Sequence, residues 1–324
     1  MLLALPAGCG PAGSQRQAEF AVFGTRVAVQ LRGVDEPTDA AAFRDVGALF
    51  QRLHRELHPW EEGALTRLNR ALAEGRPHST TADIVVLIDA AARLERASGG
   101  HFNAAIGQLV ALWGFHTSDY PITDPPPDAD AIDALTEKRP SMADVVVDGR
   151  RVTSSNPHVQ LDFSGIAKGL AVRAACEAIR DRGIASALVN AGGDVLVCGA
   201  ADRPWRVAIR GPGGAVLETL AVDRPLAVFT SGSSYRYREF DGERYPHILD
   251  PETGRPASAA MQATVIDRDA LRADAAATAL VVAGPDEWPT VAASMGAERA
   301  VVVGPDGAVT RYPADDDPSA DAPR

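Results

Sequence analysis

The sequence predicts a single α+β domain, and three features support that fold class. The chain has 324 residues, of which 46% are hydrophobic and 23% charged, as is typical of a soluble globular protein. Short β-type runs are interrupted by a few long amphipathic segments, without the regular alternation of a parallel α/β fold. The sequence also contains no stretch near the roughly 18 apolar residues of a membrane-spanning helix.

The first half of the chain contains a predicted strand and three predicted helices. Apolar and small or polar residues alternate over residues 19–31, which favours a strand. Helical spacing follows over residues 38–57, 65–73 and 81–98, and the last helix is expected to begin at Thr80 or Thr81 and to end at Gly99-Gly100. The proline-rich segment 118–130 is expected to be extended and exposed, and it is the best candidate for a boundary between subregions.

The second half contains mostly short strands. Helices are predicted over about 167–182 and 271–283, and β-type runs lie at 145–147, 152–153, 160–163, 187–190, 195–197, 205–209, 227–229 and 263–266. We place the folded domain at 19–312, between a signal-like or flexible segment (1–18) and an acidic tail (313–324) that is expected to be disordered.

The charge balance argues against a nucleic-acid partner. The chain has 43 acidic and 32 Lys or Arg residues, a formal net charge of −11. Binding to nucleic-acid phosphates requires a strongly basic patch, and the sequence shows none.

The three cysteines indicate neither a disulfide scaffold nor a zinc site, because they are few and lack the paired spacing of such ligands. We expect Cys176 and Cys198 to be buried small apolar residues. Cys9 follows Leu-Pro-Ala-Gly, which resembles a bacterial lipoprotein cleavage site with a shortened signal; the alternative is an ordinary apolar terminus. A lipid anchor at Cys9 would place the protein on the periplasmic side of the cell membrane. Otherwise it would be soluble in the cytoplasm or periplasm.

Two glycine-containing turns are candidate ligand-binding segments. Residues 161–170 (Leu-Asp-Phe-Ser-Gly-Ile-Ala-Lys-Gly-Leu) lead from a strand into a helix whose first N–H groups would attract an anion such as a pyrophosphate. The alternative is a plain tight turn, with Asp162 and Lys168 either solvated or paired with one another. Residues 190–194 (Asn-Ala-Gly-Gly-Asp) would admit a ring or a sugar against the backbone, or form a hairpin turn.

Two pairs of polar residues are candidates for chemistry. His247 and Asp250 share a Pro- and Gly-shaped loop near Thr230-Ser-Gly232 and could act as an acid–base or positioning group, although a lone histidine is more often structural. Asp274 and Thr278 lie four residues apart on one face of an Ala-rich helix and are hard oxygen ligands suited to Mg²⁺ or Ca²⁺. The alternative is a carboxylate near a helix start and a threonine bonded back to its own helix.

Taken in order, these segments resemble the ApbE family, bacterial FAD:protein FMN transferases that attach FMN through a phosphoester to a threonine or serine of a partner protein. The resemblance spans residues 20–305. Any one stretch is a weak signal, but nine in the same order are specific. The stretches are 23–25, 64–69, 99–103, 107–115, 161–169, 189–194, 230–232, 247–254 and 273–278.

The resemblance implies a single unit of two closely packed lobes with FAD in the cleft between them. It further implies that Asp274 and Thr278 bind Mg²⁺ together with the carbonyls of Ala167 and Ala277, and that His247 and Asp250 are the catalytic residues near the phosphates. The positions expected to contact FAD are Phe23, Trp60, His101, Phe102, Asn103, Ser164, Leu170 and Met261.

The chain departs from the family pattern at three places. Phe23 replaces the usual Met, Asn103 stands where an Asp is common, and Ser233-Ser234 replaces the Asp or Asn that usually follows Thr-Ser-Gly.

The resulting functional prediction is Mg²⁺-dependent transfer of FMN from FAD to a Thr or Ser hydroxyl of an acceptor flavoprotein, with release of AMP. One alternative is an FAD pyrophosphatase, in which water takes the place of the acceptor hydroxyl. Another is a non-enzymatic flavin-binding lipoprotein, which would need neither Asp274 nor Thr278. Because both residues are present, an enzyme is favoured.

Overall fold

An eight-stranded antiparallel sheet organises the chain, as seen in a computed structural model that describes residues 15–313. The predictions about Cys9 and nearly all of the acidic tail concern residues outside this range. The combination of one large antiparallel sheet with long helices confirms the α+β class.

The helices are α1 (Glu36–Leu57), α2 (Ala64–Ala73), α3 (Ala82–Ala97), α4 (Gly107–Leu112), α5 (Ala129–Thr136), α6 (Ala167–Asp181) and α7 (Ala270–Met295). The strands are β1 (Gln15–Val22), β2 (Thr25–Arg32), β3 (His78–Ser79), β4 (Val145–Asp148), β5 (Arg151–Ser154), β6 (Ser186–Ala191), β7 (Asp194–Cys198), β8 (Trp205–Arg210), β9 (Val216–Val222), β10 (Leu226–Gly232), β11 (Tyr237–Phe240), β12 (Glu243–Pro246), β13 (Gln262–Asp267), β14 (Arg299–Val303) and β15 (Val309–Tyr312). The large sheet has the order β1-β2-β6-β7-β10-β13-β14-β15, and the smaller sheets are β3-β5-β4, β8-β9 and β11-β12.

Both faces of the large sheet are covered. Alternate residues of β2, namely Val27, Val29 and Leu31, are fully buried in the main core, which they share with α1, α6 and α7. Residues of the opposite face, such as Val197, pack against the inward side chains of β8, which include Trp205. The sheet therefore lies between a helical layer and the β8-β9 ribbon.

The N-terminal strand prediction is wrong in its start and in its continuity, because the first strand begins at Gln15, within the segment expected to be signal-like or flexible, and residues 19–31 do not form one continuous strand. They belong to a hairpin of β1 and β2, whose turn is Phe23-Gly24 with φ values of 55° and 66°. A phenylalanine with positive φ is uncommon, so residue types alone did not indicate a turn here. The strand predicted at 160–163 is also wrong, since only Gln160 forms an isolated bridge, with Ile106.

The helix predictions hold apart from their ends. The first helix begins at Glu36, because the Asp35 side chain accepts a hydrogen bond from the Thr38 N–H at 3.2 Å. The helix predicted to end at 283 does have a kink at Gly284, where φ is 71° and ψ is −179°, but α7 then continues to Met295.

The expectation for Cys176 and Cys198 is wrong. The two residues form a disulfide that joins α6 to β7, with 5.4 Å between their Cα atoms. Only the packing of α6 against the β6-β7 hairpin brings these cysteines together, so their spacing in the sequence did not predict the bond.

Among the helices of residues 15–313, none is both long enough and apolar enough to cross a bilayer.

Candidate active site

A cavity of about 1,770 Å³ lies beside the β1-β2 turn, the start of α6 and the first turns of α7. Most of the residues expected to bind FAD, bind metal or act in catalysis line it: Phe23, Trp60, His101, Phe102, Asn103, Ser164, Ala167, His247, Asp274 and Thr278. The fold therefore places residues that are far apart in the sequence around one cavity.

Four expected site residues do not line this cavity. Leu170 and Ala277 are buried in α6 and α7, where their side chains belong to the main core. The Met261 carbonyl accepts hydrogen bonds from the backbone and hydroxyl of Ser233. Asp250 lies in the turn that follows His247.

Asp274 is a carboxylate buried near the start of α7, with 3% of its surface exposed. Its Oδ2 accepts a hydrogen bond from the Gly169 N–H at 2.8 Å. Burial raises the pKa of Asp274 to about 7; the charge of Lys168 opposes this shift and that of Asp194 adds to it. An additional cation beside Asp274 would offset this penalty on its charged form.

Thr278 presents its hydroxyl one helical turn after Asp274. Its Oγ1 lies 3.1 Å from the Ser231 Oγ and 3.5 Å from the Asp274 carbonyl oxygen. Gly165 is close by, and a Cβ added there would lie 3.2 Å from the Phe102 ring and 3.4 Å from the Thr278 Oγ1. The carboxylate and hydroxyl donors fit a hard divalent cation such as Mg²⁺, which usually completes its shell with water and substrate phosphates.

Lys168, which is partly buried, forms an ion pair with the buried Asp194 next to Asp274. The other oxygen of Asp194 accepts a hydrogen bond from the Thr230 N–H at 2.8 Å. Burial alone would lower the pKa of Lys168, but the charges of Asp194 and Asp274 outweigh it and raise that pKa. Of the two possibilities left open for Lys168, solvation or a pair with Asp162, neither is correct.

Asp162 instead pairs with His116, whose Nε2 lies 3.0 Å from the Asp162 Oδ2. Burial would raise the pKa of Asp162, but the hydrogen bond and charge of His116 and the hydrogen bonds from Ser164 together lower it. His116 also stacks on Trp60, with 5.4 Å between ring centroids and a 24° interplanar angle. Trp60 is thus held at the edge of the cavity by a chain of contacts.

His247 is held by two hydrogen bonds to one carbonyl group. Its backbone N–H and its Nδ1 lie 3.1 Å and 3.2 Å from the carbonyl oxygen of Arg236. Because a carbonyl oxygen only accepts, Nδ1 carries the proton and Nε2 keeps its lone pair. Burial, with the nearby charge of Arg236, lowers the pKa of His247 to about 4. At neutral pH this side chain is an uncharged imidazole that can take up a proton.

Asp250 uses both carboxylate oxygens within its own turn. Oδ1 accepts a hydrogen bond from the Glu252 N–H and Oδ2 accepts one from the Thr253 hydroxyl, each at 2.9 Å. The indole of Trp113 donates to the carbonyl oxygen of Gly254 at 2.8 Å and anchors the end of this turn. Asp250 therefore shapes the loop that carries His247.

The expected flavin-contact residues differ in how they are held. Phe23 packs edge-on against Phe50, with centroids 5.9 Å apart. The Asn103 amide donates to the Pro140 carbonyl oxygen at 2.9 Å and accepts from the Ala105 N–H at 2.7 Å, so it supports its own loop. The His101 Nε2 lies 3.1 Å from a carboxylate oxygen of Glu287.

Residues 190–194 adopt the hairpin-turn alternative. Gly192 and Gly193 have φ values of 68° and 110° and connect β6 to β7 beside the cavity. A Cβ at Gly192 would lie 2.3 Å from the Thr25 Oγ1, so this turn packs closely on the β1-β2 hairpin.

Sequence reasoning missed His116 and Arg236, which also line the cavity. His116 directly follows the Trp113-Gly-Phe115 stretch, so its position was the available signal. Arg236 follows Thr230-Ser-Gly232 by only a few residues, but an arginine in an exposed-looking loop is not distinctive.

Comparisons with known proteins agree in pointing to one family. A family model described as the ApbE family matches residues 23–302. A protein named FAD:protein FMN transferase from Rhodobacter capsulatus is 38% identical over 96% of this chain, which spans 61% of that protein's length. One of the same name from Klebsiella pneumoniae (strain 342) is 31% identical over 88% of this chain and 83% of its own length.

Solved structures show the same similarity. The ApbE protein from Thermotoga maritima has a TM-score of 0.84 and 27% identity, over 93% of this chain and 97% of its own. The flavinyl transferase ApbE from Pseudomonas stutzeri, in its apo form, has a TM-score of 0.82 and 29% identity, over 94% and 96% of the two chains.

Proposed function

Because this chain belongs to the ApbE family, we propose that it is an FAD:protein FMN transferase. It moves FMN from FAD to a threonine or serine hydroxyl of an acceptor protein and releases AMP. The observation that carries this proposal is the presence, in one cavity, of a buried carboxylate, a neighbouring hydroxyl and an uncharged histidine.

FAD is the substrate that best matches the cavity. Its volume of about 1,770 Å³ exceeds the roughly 300–1,000 Å³ of sites for drug-sized ligands, which leaves room for both a dinucleotide and an acceptor side chain. Phe23, Phe102 and Trp60 offer aromatic surfaces for the ring systems. A non-enzymatic flavin carrier would not need Asp274 buried beside Thr278.

Asp274 and Thr278 would hold Mg²⁺, with the carbonyls of Ala167 and Ala277 as further ligands. When bound, this ion supplies neutralisation of the negative charge on the FAD phosphates. Lys168, kept charged by Asp194, adds a fixed positive charge on the same side of the cavity.

His247 is the general base of the transfer step. Its Nε2 takes the proton of the acceptor hydroxyl while that oxygen forms a bond to the phosphorus of the FMN half of FAD. The bond from this phosphorus to the bridging oxygen breaks, and AMP departs with that oxygen. The Arg236 carbonyl keeps the imidazole in the required tautomer, and Asp250 keeps the loop in place.

Export from the cytoplasm is part of the proposal. The disulfide between Cys176 and Cys198 supports an oxidising compartment, such as the periplasm, because cytosolic thiols are kept reduced. A lipid on Cys9 would hold the enzyme at the membrane surface there.

The decisive experiment measures covalent flavin on a protein. The purified chain is incubated with FAD, Mg²⁺ and a candidate acceptor domain from the same organism, and the acceptor is then weighed by mass spectrometry. Transfer predicts an acceptor heavier by one FMN together with an equal amount of AMP. Free FMN and AMP without labelled acceptor would instead identify a pyrophosphatase, and no loss of FAD would refute both activities.

A further inference from the structure

Arg236 lies where three parts of the cavity meet. It is partly buried in the segment between β10 and β11, and its carbonyl group holds His247. Its guanidinium extends to the β1-β2 turn, where a Cβ added to Gly24 would lie 3.1 Å from the Arg236 Nη2. Its charge acts on both His247 and Lys168. The side chain therefore spans the space between the Phe23-Gly24 turn and the proposed base.

Among the described residues, the Arg236 guanidinium has no counter-ion. Within residues 15–313, no carboxylate lies within ion-pair distance of Arg236, and no hydrogen bond is formed by its side chain. Lys168, in contrast, is paired with Asp194. Arg236 is thus a cation of the cavity whose N–H groups are available to an incoming ligand.

A guanidinium that lines a cavity without a counter-ion there leaves its charge open to an incoming anion. The planar fork of arginine suits two oxygens of a phosphate better than a single point charge does. Its place beside the general base is also where negative charge would increase during the attack on phosphorus.

We propose that Arg236 is a further catalytic residue, whose guanidinium binds phosphate oxygens of FAD while its carbonyl group orients His247. This inference rests on the proposed function and assigns the phosphate contact to one side chain. The ligand that Arg236 recognises is a phosphate ester. A carboxylate of the acceptor protein would be a different ligand, and the test below distinguishes the two.

Flavin titrations with the native chain and with Arg236→Gln test the phosphate contact directly. Dissociation constants for FAD, FMN and riboflavin are measured by fluorescence quenching, because riboflavin carries the same ring system without a phosphate. Loss of charge-assisted hydrogen bonds is expected to weaken FAD and FMN binding by about 10- to 100-fold. Riboflavin binding should change by less than about twofold, since that ligand makes no such bonds.

Two further variants act as controls. Arg44→Gln removes the same charge at an exposed position of α1 that does not line the cavity, and it should leave all three constants unchanged. Arg236→Lys keeps the charge without the fork and should recover part of the lost FAD affinity. Thermal melts with riboflavin titrations show that each variant is folded.

Three outcomes would overturn the proposal. Unchanged FAD binding by Arg236→Gln would exclude the phosphate contact. Unchanged FAD binding with a raised KM for the acceptor would assign Arg236 to an acceptor carboxylate. Equal weakening of riboflavin and FAD would mean that Arg236 only supports the cavity wall. A native chain that binds no flavin or transfers none would contradict the proposed function itself, which is distinguishable from each of these outcomes.

Discussion

Replacement of His247 by alanine should lower the rate of FMN transfer by at least about 100-fold, because a positioned general base typically contributes about 10²- to 10⁴-fold. FAD binding should stay near normal, since the proposed role concerns the acceptor proton. The matched comparison is Asp250→Asn, which changes the loop but keeps the imidazole. We expect a smaller loss of transfer rate in that variant, because both carboxylate oxygens of Asp250 already accept hydrogen bonds, from Glu252 and Thr253.

The structure also specifies the pH dependence of this step. Burial and the charge of Arg236 lower the pKa of His247 from 6.5 to about 4. At about 1.4 kcal/mol per pKa unit, this favours the neutral imidazole by roughly 3 kcal/mol relative to an exposed histidine. The contribution to stability is complete above pH 6.5 and is lost as the pH falls from 6.5 through about 4.

The assay is the initial rate of mass gain of the acceptor at saturating FAD, measured from pH 8 down to pH 4. For the native chain, no acid limb from His247 is expected until the pH approaches about 4. The reasoning is refuted if His247→Ala transfers FMN at the parental rate. It is also refuted if the His247 imidazole, followed by NMR in the native chain, titrates with a midpoint near 6.5, since this side chain would then behave as an exposed histidine.

Three other predictions address the metal, the substrate and the disulfide. Asp274→Asn should keep the fold but lose most transfer activity, because an amide keeps the shape of the carboxylate without its charge, and EDTA should cause the same loss in the native chain. Full turnover of FAD by this variant at limiting Mg²⁺ would contradict the metal site. FAD should bind more tightly than FMN in a fluorescence titration, because the family resemblance implies contacts on the adenine side; equal dissociation constants would count against this. Cys176→Ser should lower the free energy of unfolding in urea by about 3 kcal/mol, as expected for a closed loop of 22 residues, and a reducing agent should destabilise the native chain but not the variant. An identical urea unfolding midpoint for the two proteins would show that the disulfide does not stabilise the fold.

Much of the fold was predictable because hydrophobic periodicity is a local property. The helix over residues 167–181 and the hairpin at 190–194 follow from nearby residue types. The Phe23-Gly24 turn was not predictable in that way, since phenylalanine is not a turn-forming residue and rarely adopts the positive φ that Phe23 has here.

The site was predictable to a different extent. Motif spacing brought His247, Asp274 and Thr278 into consideration, but their partners come from other parts of the chain. Lys168 pairs with Asp194, which lies 26 positions away in the sequence, and His116 pairs with Asp162, which lies 46 positions away. Such pairs depend on how the sheet and helices pack, so the sequence could name candidate charges without naming which charge neutralises which.

The order of strands in the large sheet has a consequence for how the chain folds during its synthesis. β2 lies beside β6, with Val27 opposite Ala191, so the N-terminal hairpin must wait for more than half of the chain before it gains this neighbour. Asp274 and Thr278 arrive later still, from α7. Long-range pairing of this kind slows folding. A growing chain on the ribosome therefore lacks Asp274 and Thr278 until α7 has been made, and FAD, as the proposed substrate, can meet the complete cavity only after that.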